Sequence, residues 1–211
     1  MYETKLVTAP TAYPVTLAEV KAHANISIVE DDNYIENILI PAATEHAQAF
    51  QKRQLMPATW RLTLRRFPAS DSQPIYLPLP PLVSLSSITY QIASGAIGII
   101  SFGDYVVGVD GEPGYVIPIY GNSWPSTREY PTDVVAIEFV AGYGSTNAAA
   151  LLAIPANTKL GILMLCAHWY LHREDGVAGV IVGHVKHAVD ALLGQDRFEP
   201  SECDVEELEY A

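Results

Sequence analysis

The side chains that could do chemistry gather late in the chain. His168 and His172 are four residues apart, Glu174 follows, and His184 and His187 lie beyond a glycine-containing stretch. Imidazoles one helical turn apart share a face, a spacing that zinc uses. One reading of the chain is therefore a metal-dependent enzyme built on the His168/His172 helix. Against it, that helix lacks the His-Glu-x-x-His arrangement that would set a general base beside the metal, and Trp169 and Tyr170 mark an aromatic packing stretch. Nucleophilic catalysis has less to work with. The sequence has no Gly-x-Ser-x-Gly elbow and no glycine loop ending in Lys-Ser/Thr, and Cys166 sits among apolar residues that disfavour a thiolate. The expectation is no catalytic residue, no metal and no cofactor. Cys166 and Cys203 form neither a disulfide framework nor a zinc spacing and read as free thiols.

Charge narrows the partners. A net charge of −12 argues against gripping nucleic acid by phosphate neutralisation; it suits a pore through which DNA slides, because each tight phosphate contact would be a trap, and suits an ordinary acidic protein equally. Arg61, Arg65 and Arg66 are the one basic cluster, read as a solvated strand face in preference to a docking patch. Residues 199–209 hold no Lys or Arg. There Val205, Leu208 and Tyr210 are interleaved with acids including Glu206 and Glu207, so the segment is either a solvated terminus or a set of anchors that folds on a partner. A monomeric acidic binding module is a further alternative. The opening residues lack a basic segment feeding an apolar one, and no apolar run has bilayer length; synthesis in the cytoplasm and no membrane partner are expected.

These groups must be positioned by elements whose periodicity changes twice. Thr16 and Glu19 form a capping pattern for a first helix ending near Asn25. Asp31 and Asp32 open a second helix to about Arg53, with apolar residues at helical spacing and a kink expected at Pro41. From Trp60 the period becomes two: Trp60, Leu62 and Leu64 alternate with Arg61, Thr63 and Arg65. The prolines of 77–82 restrict that stretch to an edge or connection, and further strands are expected at 87–93, 105–109, 115–118 and 134–140 between glycine turns. Ala148-Ala149-Ala150 reads as a linker. A long helix follows Pro155 to Leu171, and a short one spans 185–193. The long helix is apolar nearly all round, as expected if it is central or shared between subunits, which makes Leu163, Met164, Trp169 and Tyr170 the expected subunit-interface residues.

The fold class is therefore α+β, a small helical bundle core with an inserted antiparallel β domain. Its expected parts are residues 1–56 (helical core), 57–146 (inserted β domain), 147–198 (helical core again) and 199–211 (acidic tail).

Several stretches in order resemble one family: Thr16-Leu17-Ala18-Glu19-Val20-Lys21, Thr59-Trp60-Arg61-Leu62, the proline run with Ser87-Ile88-Thr89-Tyr90, Phe139-Val140-Ala141-Gly142-Tyr143-Gly144, His168-Trp169-Tyr170 with Arg173-Glu174, and Val189-Asp190-Ala191-Leu192-Leu193. Together they resemble the tailed-phage head-tail connector (adaptor) proteins of the gp6-like/gp8-like group, over about residues 16–198. Arg197-Phe198 departs from the Pro-Tyr-Arg type ending common there, and the acidic tail is an extension. The resemblance implies a structural virion protein at the head-tail interface, assembled in the host cytoplasm as a homo-oligomeric ring of about twelve subunits. It further implies a portal protein above, a tail or stopper protein below, and DNA passing through the channel without sequence-specific binding.

Overall fold

The computed structural model describes residues 3–70, 73–128, 133–173 and 183–199, the last segment with side chains from residue 187 onward. The first helix, α1 (Leu17–Ala24), starts where the capping pattern predicts: Glu19 N–H donates to Thr16 Oγ1 (3.3 Å) and Thr16 N–H to the Glu19 carboxylate (2.7 Å). It ends on Asn25 in the left-handed conformation. The second helical stretch runs through α2 (Asp32–Tyr34), a π segment (Ile35–Leu39) and α3 (Ile40–Gln51). The π segment ends two residues before Pro41, the residue at which the sequence predicts a kink. Its wider turns, closed by Ile40 N–H to Ile35 O, carry the helix up to a residue that has no N–H to give.

The segment 57–146, joined by a strand from the start of the described chain, forms two antiparallel sheets. Strands β1 (Glu3–Thr8), β2 (Ala58–Leu64), β8 (Val135–Ala141), β4 (Leu82–Gln91) and β5 (Ile97–Ile99) lie in the order β1-β2-β8-β4-β5, and β3 (Ile75–Leu77), β7 (Gly114–Pro118) and β6 (Tyr105–Gly108) in the order β3-β7-β6. Leu62, Leu64, Leu85, Ile88, Ile137 and Phe139 of the larger sheet pack with Leu77, Tyr105 and Val116 of the smaller, a sandwich core. Each such fully buried side chain contributes about 2 kcal/mol of transfer free energy.

Four expectations need correction. The opening of segment 1–56 is a strand: β1 pairs with β2, because an apolar-polar hexapeptide finds a ready edge there. β4 begins at Leu82, ahead of the expected 87, since bulges at 82/84 and 85/87 interrupt the alternation that would reveal it. β5 forms in a stretch read as a glycine turn. Its Gly98 lies under the Tyr90 ring, where an added Cβ would sit 2.6 Å from Tyr90 Cζ. The alanine linker is a helix, α4 (Asn147–Ala153), capped by Thr146, whose Oγ1 accepts from Ala149 N–H (3.2 Å).

From α4 the chain bends by 97° at Ile154-Pro155 into α5 (Ala156–Leu171), then continues in α6 (Gly183–Gly194). Among the described residues no single helix is long and apolar enough to cross a membrane. The helical core joins Val20, Ile35, Leu39, Ala43, Leu55, Ile162, Cys166 and Leu193. Gly161 allows α5 and α6 to approach closely; a Cβ there would stand 2.9 Å from a Leu193 methyl.

Candidate assembly surfaces and the joint between the two layers

His168 and His172 meet at a tilt of 56° with ring centroids 4.9 Å apart, and partial burial followed by the neighbouring His172 lowers the pKa of His168. Among the described residues no three His, Cys, Asp or Glu side chains converge as a metal site requires. Glu174 and the side chain of His184 lie outside the described residues, and His187 is exposed on α6. Cys166 is buried with its Sγ 3.7 Å from Leu39 O, and burial pushes its thiol up to about 12, so it stays protonated and inert at neutral pH.

The four residues expected at a subunit interface are half-buried against their own helical core. Trp169 meets His46 edge-on at 6.1 Å. Tyr170 donates its hydroxyl to Asp31 (2.8 Å), a bond that raises its pKa, and Arg173 pairs with the same carboxylate (2.9 Å) while lying over the Tyr34 and Tyr170 rings. What α4 and α5 leave uncovered is different: Leu152 is 89% exposed, and Leu160 and Leu171 are also exposed. The tail anchors Val205, Leu208 and Tyr210, with Glu206 and Glu207, lie outside the described residues.

A joint that sequence reading did not find holds the helical layer to the β layer. Arg53, just beyond α3, donates from Nη1 and Nη2 to the two carboxylate oxygens of Glu112 on the β6–β7 turn, both at 2.6 Å, and from Nε to Asp196 O (2.5 Å). Burial is the largest influence on this guanidinium and opposes its charge, but the Glu112 hydrogen bond together with the charges of Tyr143, Glu112 and Asp196 outweighs it and the pKa is raised. Tyr143, at the return from β8, donates to Asp196 Oδ2 (3.1 Å), and burial pushes its own pKa up. Gln51, fully buried, donates to Thr158 Oγ1 (2.9 Å) and Leu193 O (3.1 Å), while its backbone carbonyl accepts from Phe198 N–H (2.9 Å). Asp196 and Phe198, among the last described residues, are therefore held at this joint. Gly142 fits here at φ 144° with its Cα against Pro57, where a Cβ would lie 2.8 Å from the Pro57 nitrogen. No local sequence pattern signals this arrangement, because its members are distant in the chain.

The outer face of the five-stranded sheet is open. Arg61 pairs with Glu138 across the β2–β8 ladder (2.5 Å), and Lys5, Arg65 and Arg66 are exposed nearby. A cleft of about 360 Å³ opens near β5, lined by Tyr90, Ile99, Asp104 and Trp124 among others.

The architecture is a helical bundle interrupted by a β sandwich. The fold matches the chain titled "Neck of empty GTA particle computed with C6 symmetry" at TM-score 0.72 and 22% identity, covering 94% of this chain and 97% of that one. It also matches "Virion of native gene transfer agent (GTA) particle" (TM-score 0.71, 23% identity, 94% and 96% covered) and "Neck of native GTA particle computed with C12 symmetry" (0.66, 22%, 94% and 97%). No curated protein matches the chain. Residues 14–93 match the family model described as "Phage gp6-like head-tail connector protein".

Proposed function

We infer that this protein is a structural head-tail connector of a phage-like particle, seated in the neck of the virion. The observation that supports it most is the coincidence of a whole-chain fold likeness to neck proteins with a connector family match over 14–93. The absence of a converged ligand set among the described residues makes the metal-enzyme reading the weaker one.

The finer reading goes further. Copies assemble as a cyclic ring, of about twelve subunits as in the neck with C12 symmetry, which extends a DNA channel beneath a portal and presents its far side to a tail or stopper protein. The surplus of negative charge lets DNA slide without phosphate trapping. The acidic segment carrying Val205, Leu208 and Tyr210, interleaved with Glu206 and Glu207, docks on the portal. Leu163, Met164, Trp169 and Tyr170 support the subunit contact from beneath, by holding α5 rigid against α2 and α3. Electron microscopy of the purified protein mixed with its cognate portal tests the whole: coaxial rings are expected, and two particles that never associate would refute it.

A further inference from the structure

α5 carries a stripe of apolar side chains that its own core does not cover. Leu160, Met164, Ala167 and Leu171 recur at intervals of four, three and four residues, which places them in one sector of the helix about 60° wide. Leu160 is 40% and Leu171 67% exposed, with Met164 and Ala167 half-buried between them, whereas Thr158, Ile162 and Leu165 on the opposite side are buried. Such a stripe is what one helix offers to an apolar segment laid along it.

The chain itself supplies that segment, because its described part ends beside the start of the stripe. Gln51 donates to Thr158 Oγ1 in the first turn of α5 (2.9 Å) and accepts from Phe198 N–H through its backbone carbonyl (2.9 Å), while Asn157 Nδ2 donates to Gln195 Oε1 (2.7 Å). Beyond Glu199 twelve residues remain, 200–211, and Val205, Leu208 and Tyr210 are their only large apolar side chains. Extended, these residues span up to about 40 Å, against roughly 16 Å from Leu160 to Leu171. The tail can therefore pass round the end of the helix and still run the length of the stripe.

Charge favours the same seat. Between Glu138 and Glu174 the chain holds no Asp or Glu, but does hold Lys159, Arg173 and two histidines. Of the acids on the elements packed against α5, Glu19 is bonded to Thr16, Asp31 to Tyr170 and Arg173, and Asp32 to Lys21. Glu36 and Glu45 belong to the π segment and α3, which pack on the buried side of α5, and Asp190 of α6 shares its helix with Lys186. An acidic tail thus meets no run of carboxylates along the stripe. The exposed pair Ile28 and Val29 is different, since Glu30, Asp31 and Asp32 follow it directly and would repel the tail.

We propose that in the free protein residues 200–211 fold back on their own α5, with Val205 and Leu208 seated between Leu160 and Leu171 and Lys159 at the rim. The contact covers two apolar sets that otherwise both face water. It lies within one chain, so it goes beyond the connector reading and does not need it. A partner that takes the same anchors must first draw them off α5.

The tail's own thiol tests the proposal in the full-length protein. Ala156 is exposed in the first turn of α5 at the edge of the stripe, and in the Ala156→Cys variant Cys203 is the reactive partner, Cys166 being buried and protonated. Mild oxidation in dilute solution is expected to close an intramolecular disulfide in the monomer, located by peptide mass mapping. A short tether alone favours this closure, so the deciding comparison adds Val205→Asp and Leu208→Asp, which keep the tether and remove the anchors. The rate of closure should then fall by about tenfold or more. An unchanged rate would overturn the seat, as would no closure in the Ala156→Cys protein. Disulfides formed only between chains would also overturn it and assign the tail to a second molecule. The connector reading is tested separately by the rings formed with the portal, so the two can fail independently.

Discussion

Arg53 and Glu112 form a two-point ion pair, both N···O distances 2.6 Å, between the end of α3 and the turn joining β6 to β7. The arginine side chain is 10% exposed and the glutamate 40%. A planar guanidinium matched to a carboxylate fixes orientation as well as distance, and the third bond to Asp196 O ties the end of the described chain to the same point.

Replacing Arg53 by Met is expected to lower unfolding stability by about 1–3 kcal/mol, because Glu112 and the Asp196 carbonyl lose a charged partner. The half-exposed glutamate keeps the loss below that of a fully buried pair. Denaturant unfolding measures it, and an unchanged midpoint would show that the joint contributes nothing.

Asn substitution of both His168 and His172 should leave metal content and turnover as they are in the parent protein; stoichiometric zinc in the native protein, lost in the variant, would revive the enzyme reading. The pH dependence has a defined sign. Because the folded pKa of His168 is lowered by burial and then by His172, the unfolded chain binds the proton more readily. Its effect is nil above the unfolded value of about 6.5 and costs stability as pH falls below it. His168→Asn should therefore flatten the decline of Tm below that pH, and an identical pH profile in the variant would contradict the assignment.

The two layers keep separate apolar cores, so the division at 56/57 and 146/147 is proposed as a true insertion. Removing 57–144 behind a short flexible linker, together with residues 1–9, whose strand would lose its partner, should leave a soluble helical remnant. Far-UV circular dichroism reads this directly. Complete loss of helicity would mean that the layers fold as one.

Truncation after Phe198 removes all the acids of the tail, Glu199 to Glu209, half of the net charge of −12. The Phe198 N–H to Gln51 O bond is retained and the fold should hold. Portal binding should weaken in the truncated form, and in the full-length protein it should fall with added salt as exposed charge pairs are screened. A binding isotherm indifferent to both changes would move docking to the helices.

Local chemistry alone determined much of this protein. The Thr16–Glu19 box, the alternation from Trp60 to Leu64, the strands near 105, 115 and 135 and the helix after Pro155 are each written in a few neighbouring residues, so period and capping reveal them. Only tertiary structure decided the rest. β1 is a strand because β2 offers it an edge, the alternation of β4 is hidden by bulges that matter only opposite β8, and Gly98 sits in a strand because the Tyr90 ring covers it. The joint at Arg53 draws on residues 59 and 143 positions away. Side chains brought together across such separations leave no periodic trace in the chain, since the free energy of their meeting depends on packing that exists only after both layers have formed.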